Sequence, residues 1–135
     1  MAVSIRKRAI AELIQADCAA TDQPGDVVRI SADVVGGIYQ VAKIDITNIP
    51  MHLAVGVIVS KATTTRCTVQ IGGQVAGLYS GLTPGKILFV GTDSRLTHAV
   101  PTRPVAGVKS VYHAAMALSS NVLLLNFQSP FRLTT

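Results

Sequence analysis

The chain predicts an all-β fold, a single-domain β-sandwich or barrel of about eight strands with a short N-terminal arm. Three observations carry this. Apolar residues come in short runs that alternate with polar ones, the two-residue period of half-buried strands. Turn residues, chiefly Pro, Gly, Asp and Asn, separate the runs. The layout of residues 24–71 also recurs over residues 84–127.

Taken in order, residues 1–17 stand apart. Ile10, Leu13 and Ile14 share one face of a short helix of about two turns, and the same segment suits an extended arm that orders on a neighbour. From Gln23 the pattern is β. Pro24-Gly25-Asp26 turns into a strand at Val27–Ile30, and Asp33–Gly37 turns into another at Ile38–Ala42. Pro50 keeps residues 43–53 out of any central strand. Ala54–Ser60 reads as a buried strand, Lys61–Arg66 as a turn, and Cys67–Ile71 as its hairpin partner. Gly72-Gly73 is expected to break the ladder before a short strand over Gln74–Tyr79. Ser80–Gly85 turns into a strand at Lys86–Val90, followed by strands at Leu96–Val100, within Gly107–Leu118 and at Val122–Phe127. Residues 18–127 thus form the β-domain and 128–135 a tail.

The repeat is one of layout. Pro24–Ile30 aligns with Pro84–Val90 at an offset of 60, Ile38–Ala42 with Leu96–Val100, and the hairpin Val55–Ser60/Cys67–Ile71 with His113–Leu118/Val122–Phe127. The falling offset is ascribed to a shorter second turn. Duplicated hairpin units suit a jelly-roll-like arrangement.

Composition bounds the function. A chain of 135 residues fits one domain and can bury a core without disulfides or metal. Hydrophobic residues make up 49% and charged residues 14%, below the usual quarter or so. Surface of that kind points to an oligomer or a larger assembly. No apolar run approaches the roughly 20 residues of a membrane span. Arg6-Lys7-Arg8 resembles a signal-peptide start, but Glu12, Gln15 and Asp17 interrupt the apolar region that should follow; Asp17 also rules against a lipoprotein site at Cys18. The expectation is a soluble, cytoplasmically made chain. Net charge is +5, scattered and without aromatic interleaving, so no direct nucleic-acid binding is expected. Cys18 and Cys67 read as reduced, small apolar residues.

No catalytic set emerges. Gly81–Lys86 falls short of a phosphate loop, having Pro84 within it, too few residues between its glycines and Ile87 after the lysine. His52, His98 and His113 lack local metal-site spacing, although His98 and His113 can meet across neighbouring strands. The seven acids fall mostly in turns, no carboxylate pair faces a cleft, and no nucleophile elbow occurs. The expectation is a non-enzyme with no cofactor and no metal. The turn Ala62-Thr63-Thr64-Thr65 and the end of the tail, Leu133-Thr134-Thr135, are neutral polar loops suited to contacts.

One resemblance goes further. Cys18, then Pro24-Gly25-Asp26-Val27-Val28, the run VGVIVSKATTTRCTVQIGGQVAGLYSGLTPGKILFVG, and the ending Ala117-Leu118-Ser119-Ser120-Asn121-Val122-Leu123-Leu124-Leu125 resemble a β-module of tailed-bacteriophage virion proteins. The resemblance covers roughly residues 18–127, and the module occurs in capsid-decorating, tail and fibre proteins. With little chain beyond it and no shaft, it implies a capsid decoration (cement) protein. Such a protein is located on the virion's capsid surface, contacts the major capsid protein, self-associates as a dimer or trimer, and bridges capsomers. The contacts are then expected from the arm and tail, at Ile5, Arg6, Lys7, Arg8, Ile10, Leu13, Phe131 and Arg132, and from strand edges. The alternatives are a tail, baseplate or fibre-associated receptor- or glycan-binding module, and, more remotely, a hydrolytic one. A glycan site usually offers an exposed aromatic platform, and the chain has no Trp.

Overall fold

The computed structural model of the chain describes residues 12–47, 54–99, 110–127 and 131–132. The described residues form strands and no helix: β1 (Glu12–Asp17), β2 (Val27–Val35), β3 (Ile38–Lys43), β4 (Ala54–Lys61), β5 (Arg66–Ala76), β6 (Ile87–Val90), β7 (Leu96–Thr97), β8 (Ser110–Val111), β9 (His113–Ala117), β10 (Val122–Leu125) and β11 (Phe131–Arg132). Nine of them make one sheet in the order β1-β3-β2-β4-β5-β10-β9-β6-β7, while β8 pairs with β11. Strand β1 also pairs with β5, so β1, β3, β2, β4 and β5 close into a small barrel. The all-β, barrel-like architecture read from the sequence is present.

Closure explains the choice of side chains. Successive residues of a strand point to opposite faces, so Val27-Val28 and Val57-Ile58 each supply two cores. Val28 and Ile58 point into the barrel with Ala16, Cys18, Val41, Cys67 and Val69. Few strands enclose a narrow bore, and small side chains such as Ala16 and the cysteines suit it. Val27 and Val57 point the other way. They pack with Leu88, Val90, Leu123, Leu125 and Tyr112 in a second core between the barrel and the β10-β9-β6-β7 sheet.

The repeat seen in the sequence is present in the pairing. Reading outward from the β5–β10 contact, the orders are β5-β4-β2-β3 and β10-β9-β6-β7. The Pro-Gly turns match bond for bond. Gly25 N–H donates to Ile58 O and Ile58 N–H to Asp26 O; Gly85 N–H donates to Ala117 O and Ala117 N–H to Lys86 O. The hairpin turns match as well: Ala62 and Thr63 donate to Arg66 O, and Leu118 and Ser119 to Val122 O. The two turns are therefore equal in length. The offset falls because the first hairpin has longer strands, with a register shift between Ile58 and Ser60.

Four expectations change. Residues 12–17 are a strand, not a helix: Leu13 and Ile14 lie on opposite faces, with Leu13 exposed and Ile14 against the barrel core. The last part of the expected arm is thereby built into the barrel. Gly72-Gly73 bends β5 without ending it. Residues 66–72 pair with β1 and residues 73–76 with β10, with Gly73 at φ 84° allowing the bend. β2 runs on to Val35, so the turn expected over 33–37 shrinks to Gly36-Gly37. Of the strand expected over Leu96–Val100, the described residues are paired only at Leu96–Thr97. The Pro-bearing links at 48–53 and 100–109 lie outside the described residues.

The paired turns give a test. Gly25 and Gly85 share left-handed φ values of 97° and 83°. A Cβ on Gly25 would lie 2.5 Å from Arg95 Nη2, whereas one on Gly85 meets nothing within 4 Å. Gly85→Ala should cost about 1–2 kcal/mol from backbone strain alone. Gly25→Ala should cost about 1–2 kcal/mol more, because Arg95 must leave its carboxylate partner. Urea unfolding of both variants measures the difference.

Candidate functional site

The polar residues of the fold are mostly engaged in holding it. Asp26 is almost wholly buried. It accepts from Gln23 N–H at 2.8 Å and Arg95 Nη1 at 3.2 Å, with Lys43 Nζ at 3.7 Å. Arg95 lies over the Tyr79 ring, 5.3 Å from its centroid. The Tyr79 hydroxyl donates to Gly25 O and accepts from Leu96 N–H; burial pushes its pKa up, so it stays a donor. This cluster joins the first Pro-Gly turn to the β6–β7 connection. Asp22, Asp45 and Asp93 accept backbone N–H groups of their own turns, the role expected of them.

The histidines are separated. His98 lies just after β7 and His113 begins β9, with β6 between those strands. His98 Nε2 accepts from Thr83 N–H, leaving Nδ1 to donate to Ile87 O at 3.0 Å. His113 packs beside the Phe89 ring, centroids 6.1 Å apart. His52 lies outside the described residues. Among the described residues no three His, Cys, Asp or Glu side chains gather as a metal site. Cys18 and Cys67 are free and buried. Burial, then the neighbouring Cys18 thiol, push Cys67 up to about 12, which leaves it protonated and unreactive near neutral pH. The Thr83–Lys86 stretch is a turn, with Lys86 N–H donating to Thr83 O, and it leads into β6. No helix among the described residues is long and apolar enough to cross a membrane.

What remains is exposed apolar surface on a rigid frame. Among the described residues, β2 pairs with β4 only through Val27–Arg29, and β3 pairs with β1 only at Tyr39 and Gln40. Beyond those points the two strands continue as a ribbon closed by Gly36-Gly37. Every residue from Ile30 to Gly37 is exposed, including Ile30, Val34 and Val35 at 44%, 53% and 64%; Tyr39 follows at 43%. Asp33 is the only charged residue from Ile30 to Val41. A two-stranded ribbon is at best marginally stable in water by itself, and apolar side chains on strand edges with no partner among the described residues suit pairing with another chain.

Of the residues expected to make contacts, Leu13 projects from the outer face of β1, 55% exposed. Phe131 and Arg132 pair through their backbones with Val111 and Ser110 of the same chain. Ile5, Arg6, Lys7, Arg8 and Ile10 lie outside the described residues. The ribbon was missed as a site. Its signal was Val34-Val35-Gly36-Gly37-Ile38-Tyr39, a Gly-Gly pair between β-branched residues, which names a hairpin but not its exposure. Comparison with protein families, curated proteins and solved structures finds no match.

The base that holds the ribbon rests on one carboxylate. Asp17 on β1 accepts from Arg66 Nε of β5 at 2.7 Å and from Gln40 Nε2 of β3 at 3.0 Å. It thus clasps both seams of the barrel. The Gln40 and Arg66 hydrogen bonds lower its pKa. A lowered folded-state pKa contributes stability that is present above the unfolded value of about 3.9 and lost as pH falls through the folded one. Asp17→Asn should therefore lower the melting temperature near neutral pH, with the gap closing below about pH 4. Melts across pH measure this.

Proposed function

We propose that this chain is a structural binding module of a bacteriophage virion. It sits on the outside of the capsid, touches the major capsid protein and bridges neighbouring capsomers. The observation that carries the reading is the β2–β3 ribbon, a hairpin with exposed apolar side chains held out from a closed barrel. The strand-and-turn run from Val55 to Val90, similar to virion β-modules, supports it. The ribbon offers backbone donors and acceptors for β-augmentation, and Ile30, Val34, Val35 and Tyr39 supply the apolar area. Many copies on a lattice add weak contacts into firm attachment. On this reading binding requires no chemistry from the chain, and its acids and histidines serve the fold.

The test is placement. Immunogold labelling of virions from the source phage should put the chain on the head surface. Label confined to the tail or baseplate would overturn the capsid reading in favour of a receptor- or glycan-binding module. In a reconstitution with heads lacking the chain, Val34→Asp with Val35→Asp should reduce bound protein by about tenfold or more. The exposure of both positions leaves the fold intact, which circular dichroism checks.

A further inference from the structure

The repeat exposes a second surface. In the first unit, Val27, Val57 and Gln70 lie side by side across β2, β4 and β5. In the second, Ile87, Met116 and Leu124 lie side by side across β6, β9 and β10. The matching turn bonds make these the same row: Ile58 corresponds to Ala117 and Asp26 to Lys86, so Val57 corresponds to Met116 and Val27 to Ile87. Their surroundings differ. Val27 and Val57 are 0% and 1% exposed, buried under the second unit's own sheet, while Ile87 and Met116 are 42% and 39% exposed. Leu124 is half-buried, and so are Phe89 and His113 in the adjoining row.

We infer that the Ile87–Met116–Leu124 face is a self-association surface, occupied by the same face of a second copy. Two arguments select that occupant. The equivalent row in the first unit is covered by the opposite face of the second unit's sheet, through Leu88, Leu123 and Leu125, so a row of this kind already packs against a β-sheet face of this repeat within the chain. The row itself carries no charged side chain, in a molecule of net charge +5. A two-fold contact sets a patch against the same patch of the copy, and a charge-free row brings no like charges face to face there. This inference concerns the purified chain and stands independently of the virion reading.

Sedimentation of the full chain tests it. The wild type should form a concentration-dependent dimer. Met116→Lys and, separately, Met116→Glu should each weaken it at least about tenfold, and mixing the two should restore dimers as mixed pairs. Ile87→Lys, a second exposed position, guards against a folding defect at Met116, with melting temperature as the check. Val34→Lys on the ribbon should leave the dimer unchanged. A wild type that stays monomeric at every accessible concentration overturns the inference. So do dimers that persist in both Met116 variants or that are lost on ribbon substitution.

Discussion

Strand β5 has to serve two cores, and the Gln70 side chain holds the bend that lets it. Cys67 and Val69 belong to the barrel core and Val75 to the core between barrel and sheet. The change of direction falls where β5 gains a residue on β1, between Gln70 and Gly72, and where Gly73 takes a positive φ. Gln70 is buried, and its amide donates to Gly72 O at 2.9 Å and Gln74 O at 2.7 Å. Those two bonds bracket Gly73. A buried amide without partners would cost a few kcal/mol; here both of its N–H groups fix the angle between the two halves of the protein. Losing the bend would separate the barrel from the sheet that covers Val27 and Val57.

Two copies of one layout have diverged where they meet. The turn residues Gly25 and Gly85 keep the same conformation and the same pair of bonds. The next position differs. Asp26 is buried and takes Arg95 and Lys43, while Lys86 is exposed. A buried carboxylate needs paired charge to offset its desolvation, and Arg95 brings it from the second unit. The seam between units is therefore polar at the turn and apolar in the core. Ser94 strengthens it: at φ 64° it donates its hydroxyl to Ile44 O, and its carbonyl accepts from Val27 N–H.

Strand content and the repeat were legible because both rest on local patterns, the two-residue period and Pro-Gly turns. Where the chain bends rather than breaks was not legible. Gly72-Gly73 looks like a stop, and only the change of partner from β1 to β10 shows that the strand continues. Residues 12–17 were ambiguous because Leu13-Ile14 fits a helical face or an alternating strand, and pairing with β5 decided it. Barrel closure depends on β1 joining both β3 and β5, contacts far apart in sequence. The candidate surfaces were harder still. Val27-Val28 and Ile87-Leu88 look alike as sequence, yet Val27 is buried and Ile87 is not, because what covers a strand face is set by the other unit.

The ribbon and the Ile87–Met116–Leu124 row belong to different units of the chain, and that separation has a consequence. A surface used for a copy of the chain and a surface used for a larger partner compete if they coincide. Here the ribbon leaves the barrel between β2 and β3, while the row lies across β6, β9 and β10. On the proposed reading the two surfaces share no strand, so neither partner would occupy the other's residues. Pairing through the row would then carry two ribbons on one particle, turning a weak edge contact into a bivalent one whose second attachment is intramolecular. The polar seam at Asp26, Arg95 and Tyr79 matters to that arrangement, because it ties the unit bearing the ribbon to the unit bearing the row.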